Sequence, residues 1–264
     1  MGVVNVTPDS FSDGGLWLDA NAAVAHGGDL HAQGAEVLDV GGESTRPGAE
    51  PVGAAEELRR VVPVLEGLRE HVPRAVLSID TSKLAVARAA LEAGATYVND
   101  VTAFRHDPGL AEVVAHSGAG CCLMHMLGEP RTMQDDPRYD DVVDDVRAFL
   151  QERAAFAVAE GVAPERIQVD PGIGFGKTLE QNLELLRRLD EIAGLGFPVV
   201  IGVSRKRFLG TLTGREVAAD RVAATVAANV LAFERGARVF RVHDVAPTVD
   251  GLKVAAGTLP GDDA

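Results

Sequence analysis

Cysteine is scarce in this sequence, since Cys121 and Cys122 are the only two among its 264 residues. Adjacent cysteines rarely form a disulfide bond with each other, so a disulfide framework is excluded and a reducing cytoplasm is expected. The N-terminal residues also lack the basic segment and the apolar core of a signal peptide, which agrees with a cytoplasmic protein. We expect both cysteines to lie in a buried strand.

Positive charge and long apolar runs are scarce as well. The chain has 25 lysine and arginine residues against 39 aspartate and glutamate residues, so its formal net charge is −14. Such an acidic surface repels nucleic acid and anionic membranes, and neither is an expected partner. No apolar run reaches the roughly 20 residues of a transmembrane helix. Any anionic substrate must therefore be held by a local cluster of cationic side chains.

Aromatic residues make up only 5% of the chain, whereas hydrophobic residues make up 46%, so aliphatic side chains must form the core. Short apolar segments alternate with longer segments of helical periodicity, as in parallel sheets covered on both faces. The predicted strands are Gly2–Asn5, Ala35–Val40, Ala75–Ile79, Tyr97–Asn99, Gly120–Met124, Ile167–Val169, Pro198–Gly202 and Val239–Arg241. The predicted helices are Asn21–Gln33, Ala54–Glu70, Lys83–Ala93, Leu110–Ala115, Asp140–Glu160, Leu179–Ile192, Val217–Arg235 and Val245–Ala256. Thr81 or Ser82 is the expected N-cap of the third helix, and Lys177-Thr178 could open the sixth.

Eight strands separated by helices predict an α/β fold in which residues 1–264 form one (β/α)8 TIM barrel and a single catalytic domain. A doubly wound open sheet is the alternative. In a barrel the carboxyl ends of the strands converge on one face, where active sites lie. Nearly every predicted strand ends in polar residues, and those that we single out are Asn5, Thr45, Asp80, Asn99, Asp170, Lys206, Arg241 and His243.

Each of these residues also has a simpler interpretation. Asp80, Asn99 and Asp170 could cap the helices that follow them or satisfy loop amides. Arg241 and His243 could pair with nearby carboxylates. The joint occurrence of polar residues at eight strand ends favours a functional site over eight separate structural roles.

Two chemistries are suggested by the residue types at these strand ends. Asp80, Asn99 and Asp170 suit the edge of a flat heterocycle, because a buried carboxylate needs a partner such as an N–C–N–H edge. Met124 and Phe175 could cover the faces of that ring, although core packing is the alternative for both.

The second chemistry concerns phosphate. Arg241 and His243, together with Thr45, would hold the oxygens of a diphosphate. Lys206 belongs to the ring site instead, where it could reach a ring carbonyl or nitrogen. Asn5 would be a neutral oxygen ligand for Mg²⁺, which takes few protein ligands when phosphates are present. The sequence therefore predicts a site with an acidic part for a ring and a cationic part for phosphates.

The chain resembles the dihydropteroate synthase family of folate biosynthesis over essentially its whole length. The motifs that carry the resemblance are Asn5-Val-Thr-Pro-Asp-Ser-Phe-Ser-Asp-Gly-Gly15, Gly42-Glu-Ser-Thr-Arg-Pro-Gly48, Ser78-Ile-Asp-Thr81, Val98-Asn-Asp100, Asp170-Pro-Gly-Ile-Gly-Phe175, Ser204-Arg-Lys206 and Arg241-Val-His243. The resemblance implies a (β/α)8 barrel, commonly dimeric, and a transferase that joins p-aminobenzoate to 6-hydroxymethyl-7,8-dihydropterin diphosphate. The products would be 7,8-dihydropteroate and diphosphate.

The resemblance also implies a role for each matching residue. The residues expected to bind pterin are Asp80, Asn99, Asp170 and Lys206, with Met124 and Phe175 nearby. Asn5 would contact Mg²⁺, and those expected to hold the diphosphate are Thr45, Arg241 and His243. The first two loops would close over the site and shape the p-aminobenzoate pocket through Phe11, Asp13, Arg46 and Pro47. Those expected to be catalytic are Lys206, Asp80, Asp170, Asp13 and Arg46. Arg207 stands where many relatives have a small hydroxyl residue, and it could attract the p-aminobenzoate carboxylate.

Two other functions remain open on the sequence. A methyltetrahydrofolate-dependent corrinoid methyltransferase would share the acidic ring site, but it has no need for the segment from Arg241 to His243. A non-catalytic paralogue could bind pterin without turnover, although such proteins tend to lose the Ser-Thr-Arg-Pro or Ser-Arg-Lys segments that are intact here.

Overall fold

The computed structural model describes residues 1–6, 16–45 and 49–258, without the side chains of residues 16–19. The strands are β1 (Gly2–Asn5), β2 (Val37–Gly41), β3 (Val76–Asp80), β4 (Tyr97–Asp100), β5 (Gly120–Met124), β6 (Ile167–Asp170), β7 (Val199–Ile201) and β8 (Ala237–Phe240). Neighbouring strands are parallel and follow chain order from β1 to β8. The sheet closes on itself, because Val3 N–H donates to the Val242 carbonyl over 3.0 Å and Val242 N–H donates to the Met1 carbonyl over 2.9 Å. The predicted barrel is confirmed, and the open sheet is wrong.

Helices follow the strands on the outside of the barrel. They are α1 (Leu16–Ala32), α2 (Ala54–His71), α3 (Leu84–Ala93), α4 (Gly109–Ser117), α5 (Val142–Ala159), α6 (Leu179–Arg187), α7 (Leu189–Ala193), α8 (Arg207–Thr213), α9 (Val222–Glu234) and α10 (Val245–Thr258). None of the helices in the described ranges is both long and apolar enough to cross a membrane.

The core consists mainly of aliphatic side chains, as the composition predicts. Valine and leucine from the strands pack against alanine and leucine from the helices, and Phe104 is a rare large aromatic residue that is fully buried among them. Cys121 and Cys122 are buried in β5, which confirms their predicted position. Burial raises the pKa of the Cys121 thiol to about 12, so this side chain behaves as an apolar group.

Element boundaries differ from the predictions where local geometry interrupts a pattern. The predicted helix Leu179–Ile192 is two helices, because Arg188 has a non-helical conformation between α6 and α7. The Arg188 guanidinium forms hydrogen bonds with the carboxylates of Asp141 and Glu191. Thr178 does begin α6, with its hydroxyl and the Gln181 side chain forming a reciprocal capping box.

Three further boundaries correct the sequence analysis. The N-cap of α3 is Lys83 rather than Thr81 or Ser82, and its side chain makes no cap hydrogen bond because an ammonium group has no acceptor. Helix α8 was not predicted, since its seven residues are too few for a clear period. Strand β8 begins two residues earlier than predicted, directly after Gly236 ends the preceding turn with a φ of 96°.

Candidate active site

The polar residues predicted at the strand ends lie around one mouth of the barrel. In the register of the sheet, Asn5 is beside Gly41, Gly41 is beside Asp80, and Asp80 is beside Asn99. Side chains from β1, β3 and β4 therefore stand at one level, as expected for strands whose carboxyl ends share a face.

Arg241 joins this face to β8 and binds two carboxylates at once. Its Nε donates to Asp39 Oδ2 over 2.6 Å, and its Nη2 donates to Asp80 Oδ2 over 2.7 Å. The simpler interpretation of Arg241 as a partner of nearby carboxylates therefore describes part of its role. The bond from Arg241 Nη2 occupies one of the two carboxylate oxygens of Asp80.

Asp39 is a site residue that the sequence analysis missed. It is fully buried in β2, where it also accepts hydrogen bonds from Ser78 Oγ over 2.5 Å and from Asn99 Nδ2 over 3.1 Å. A lone aspartate inside an apolar strand was the available signal, because a buried carboxylate needs a cation or several donors. Asp39 thereby fixes both Asn99 and Arg241 at the floor of the mouth.

Burial disfavours the charged forms of both Asp80 and Arg241, but only Arg241 has carboxylate partners that outweigh it. Burial raises the pKa of Asp80 to about 7, although the Arg241 guanidinium opposes this shift. Burial also disfavours the charged form of Arg241, but Asp39 and Asp80 outweigh that effect and raise its pKa above the ordinary value. The guanidinium therefore stays charged, whereas the Asp80 carboxyl holds its proton more tightly than an exposed aspartate does.

Asp170 and Lys206 form the second charged part of the mouth. Asp170 lies beside Met124 in the register of β5 and β6, and its Oδ1 accepts the Gly172 N–H over 2.7 Å. Lys206 Nζ donates to the Ile173 carbonyl and lies 4.5 Å from the centroid of the Phe175 ring. Lys206 therefore stands over the β6–α6 loop, where a cation can lie against an aromatic face.

Both of these charged groups have shifted proton affinities. Burial raises the pKa of Asp170, and Lys206 opposes that shift. Burial lowers the pKa of Lys206 to about 8, and Asp170 opposes that shift in turn. Paired groups with perturbed pKa values in a barrel mouth are typical of a functional site.

Lys177 is a second residue that the sequence analysis did not place in the site. Its amino group is buried and lies near three polar atoms: the Gly172 carbonyl at 3.0 Å, the Phe175 carbonyl at 2.9 Å and His125 Nδ1 at 3.0 Å. Burial lowers the pKa of Lys177 well below its ordinary value, although Asp170 opposes this shift. Burial, followed by Lys177 itself, lowers the pKa of His125 to about 2, so the imidazole is neutral and can accept.

Glycine is required where this loop approaches β5. Gly172 has a φ of 68°, and a Cβ at this position would collide with the His125 carbonyl. The Gly-rich segment after Asp170 is therefore a tightly held loop supported by Lys177 from below.

Met124 and Phe175 lie together, as the ring-covering hypothesis requires. Met124 belongs to a small apolar cluster with Val101, Met126 and Met133, and the half-buried Phe175 packs against it. This cluster is separate from the main core, so it forms an apolar wall of the mouth rather than part of the barrel interior.

The residues predicted for phosphate and metal are described only in part. His243 lies after β8, where its backbone N–H donates to Ser204 Oγ over 3.1 Å. Asn5 is half-buried at the end of β1, and Thr45 is half-buried in the loop after β2. Four predicted residues lie outside the described ranges, namely Phe11, Asp13, Arg46 and Pro47.

Asn5 fits the expected magnesium site as a single oxygen ligand. It is half-buried at the end of β1, level with Gly41 and therefore with Asp80 in the register of the sheet. The described residues contain no group of three or more His, Cys, Asp or Glu side chains that could hold a metal alone. A single amide oxygen is a ligand that Mg²⁺ accepts where water and phosphate oxygens supply the others.

Comparisons with known proteins agree with this geometry. Residues 1–243 match the family model described as pterin binding enzyme. A dihydropteroate synthase of Neisseria meningitidis serogroup B is 49% identical over 96% of this chain and 90% of its own length. A structure of Xanthomonas albilineans dihydropteroate synthase with 4-aminobenzoic acid has a TM-score of 0.92 and 52% identity, covering 98% of this chain and 93% of that one.

A second structure of the Xanthomonas albilineans enzyme contains 7,8-dihydropteroate. It has a TM-score of 0.88 and 48% identity, and the match covers 98% of this chain and 94% of that one. Both the matched length and the identity far exceed what a shared barrel alone would produce. The chain belongs to the pterin-binding enzymes and, within them, to the dihydropteroate synthases.

Proposed function

We propose that this chain condenses p-aminobenzoate with 6-hydroxymethyl-7,8-dihydropterin diphosphate to give 7,8-dihydropteroate and diphosphate. The supporting observation is the mouth itself, where Asp80, Asn99, Asp170 and Lys206 lie together with Arg241, which is hydrogen-bonded to Asp80, and with His243. The dihydropteroate-bound relative shares 48% of its residues with this chain. A corrinoid methyltransferase does not account for Arg241 and His243.

The acidic residues are suited to stabilise charge on the pterin. When the bond between the methylene carbon and the diphosphate oxygen breaks, positive charge develops on the electron-rich ring. Asp80 and Asp170, once ionised, oppose that charge at a short distance in a buried site. The aniline nitrogen then forms the new C–N bond and loses a proton, and it is nucleophilic enough to need no strong base.

The cationic residues are suited to the departing diphosphate. Arg241 and His243 follow β8 in a segment that pairs with β1 through Val242. Mg²⁺, when bound, supplies further positive charge at the leaving group. Thr45 would donate a hydroxyl, and Arg207, which is exposed at the start of α8 next to Lys206, would attract the p-aminobenzoate carboxylate. Arg46 and Asp13 would complete the site from the two loops.

Formation of dihydropteroate by the purified protein tests this proposal. The protein is incubated with both substrates and Mg²⁺, and the product is identified by chromatography and mass. A non-catalytic paralogue would bind pterin and form no product, and that outcome would reject the enzymatic function.

Magnesium should strengthen diphosphate binding through Asn5. In calorimetry with inorganic diphosphate, added Mg²⁺ should raise the affinity about tenfold for the unmodified protein, as expected for a shared metal ion at a phosphate. Asn5→Ala should remove most of that gain and leave the affinity without Mg²⁺ nearly unchanged. An equal gain in both proteins would rule out Asn5 as the ligand.

Activity should depend on pH through Asp80 and Lys206. Protonation of Asp80 below pH about 7 removes an anion needed at the ring, and loss of the Lys206 proton above pH about 8 removes a cation. We therefore expect kcat/KM for the pterin diphosphate to be bell-shaped, with a fall of about tenfold per pH unit on each side. A constant kcat/KM from about pH 6 to about pH 9 would contradict these assignments.

The homodimer is likewise a proposal. Large apolar side chains are exposed on the elements that follow β7, namely Leu212, Val217, Leu231 and Val254. Helices α9 and α10, which carry two of them, pack against each other and could share one interface. Sedimentation equilibrium should give twice the mass of the chain, and a monomer at every concentration would reject the dimer.

A further inference from the structure

Arg205 has an unusual backbone conformation directly before Lys206. Its φ is 58°, in the left-handed region that a residue with a Cβ normally avoids. Such a conformation persists only where surrounding contacts enforce it, and it often occurs at functional sites. The peptide that leads into Lys206 is therefore held in a direction that the chain alone would not choose.

Contacts on every side enforce this conformation. The Arg205 N–H donates to Thr225 Oγ1 over 3.0 Å, and its carbonyl accepts from Arg221 Nη1 over 2.8 Å. Its guanidinium forms a two-point pair with Asp244, with Nε to Oδ2 at 2.8 Å and Nη2 to Oδ1 at 2.5 Å. Two parallel charge-assisted bonds fix direction as well as distance.

The same contacts join the loop after β7 to the loop after β8. Asp244 directly follows His243, and Ser204 directly precedes Arg205. Ser204 Oγ accepts the His243 N–H over 3.1 Å and lies 3.0 Å from His243 Nδ1. The Ser204 hydroxyl therefore contacts both the backbone and the ring of His243, which ties this ring to the loop after β7.

Main-chain pairing does not hold these two loops together. Strand β7 pairs with β8 only through Val199–Ile201, with an irregularity between Val199 and Val200. The last bond of the ladder runs from the Arg241 N–H to the Ile201 carbonyl, before either loop begins. Side chains must therefore set the distance between Lys206 and His243.

We propose that Arg205 and Asp244 form a positioning pair, which sets the separation between Lys206 at the pterin end of the substrate and His243 at the diphosphate end. This inference rests on the proposed function, because it needs one substrate that reaches both residues. Arg205 touches neither end in this arrangement and acts only through its neighbours. The pair matters most for the intact substrate, whose two ends are covalently joined at a fixed distance.

Affinity for joined and separate ligands distinguishes this role from a general structural one. Each fragment can bind its own half of the site even when the halves are misaligned, whereas the joined molecule gains only if both halves fit together. The probes are 6-hydroxymethyl-7,8-dihydropterin, inorganic diphosphate and the pterin diphosphate, each titrated calorimetrically with Mg²⁺. The variants are Asp244→Asn, which keeps the shape, and Arg205→Lys, which keeps the charge but not the two-point geometry.

We expect both variants to bind the pterin diphosphate about tenfold more weakly and each fragment with less than about a threefold change. Glu184→Gln is the matched control, because it weakens a surface pair with Arg187 on α6, and its affinities should be unchanged. If either variant unfolds, Arg205→Gly replaces it, since glycine accepts the left-handed conformation without the guanidinium.

The possible outcomes separate the two proposals. Unchanged affinity for the pterin diphosphate in folded variants would overturn the positioning role alone. Equal losses for fragments and joined ligand would also overturn it, because they indicate general damage to the site. An unmodified protein that binds none of the three ligands would instead reject the proposed function.

Discussion

Replacing Lys206 with alanine should lower kcat/KM for the pterin diphosphate by about a thousandfold, which combines two losses. A charge-assisted bond to the ring contributes about 1.5–3 kcal/mol. Without the ammonium group, the pKa of the buried Asp170 should rise further, because Lys206 is the main group that opposes burial there. At neutral pH, more of Asp170 would then be protonated and unable to stabilise a cationic ring.

Steady-state kinetics and pterin calorimetry on Lys206→Ala measure both losses. Lys253→Ala is the matched control, because Lys253 is exposed on α10 and removal of its charge should leave kinetics unchanged. Near-normal kcat/KM in Lys206→Ala would exclude this residue from the machinery. A loss confined to p-aminobenzoate would place Lys206 at the other substrate.

Replacing Arg241 with alanine should damage both folding and diphosphate use. Arg241 is the shared partner of Asp39 and Asp80, so its removal leaves two buried carboxylates facing each other. Breaking a buried pair in this way costs about 3–5 kcal/mol in the free energy of unfolding. The KM for the pterin diphosphate should rise about a hundredfold, and the KM for p-aminobenzoate much less, if the guanidinium also binds phosphate.

The pH dependence of the stability loss in Arg241→Ala gives an independent check. Asp80 has a folded-state pKa of about 7, above its unfolded value, so its proton is bound more tightly in the folded protein. Such a carboxyl costs stability as pH rises from its unfolded pKa towards its folded pKa. The destabilisation in Arg241→Ala should therefore be smaller at mildly acidic pH than above pH about 7.

A surface arginine provides the comparison for Arg241→Ala. Arg188 also bridges two carboxylates, Asp141 and Glu191, but it lies between α6 and α7. Arg188→Ala should cost far less stability, because its partners remain hydrated, and both KM values should stay the same. Equal increases in the two KM values for Arg241→Ala would count against a specific contact with phosphate.

The barrel and the location of its mouth were predictable from the sequence for a simple reason. Apolar runs followed by polar residues recur eight times, and parallel strands must place their carboxyl ends on one face. This rule found Asp80 and Asp170, which end their strands, Asn99, which is next to last in β4, and Lys206, which lies in the loop after β7.

The same rule does not identify Asp39 or Lys177. Asp39 lies in the middle of β2, and Lys177 follows a glycine run that resembles an ordinary helix start. Their importance depends on long-range contacts, such as Arg241 to Asp39 across 202 positions and Lys177 to His125 across 52. No local pattern encodes such pairings, whereas a charged residue in an apolar strand is a signal that could have been used for Asp39.

The two buried thiols of β5 have a practical consequence. Cys121 and Cys122 lie between β4 and β6, and burial raises the pKa values of both thiols, so reagents that require an exposed thiolate cannot reach them in the closed barrel. Alkylation becomes possible only when β5 separates from its neighbours. The rate at which the native cysteines are alkylated thus reports how often the sheet opens. This rate can be compared between different bound ligands without introducing a probe.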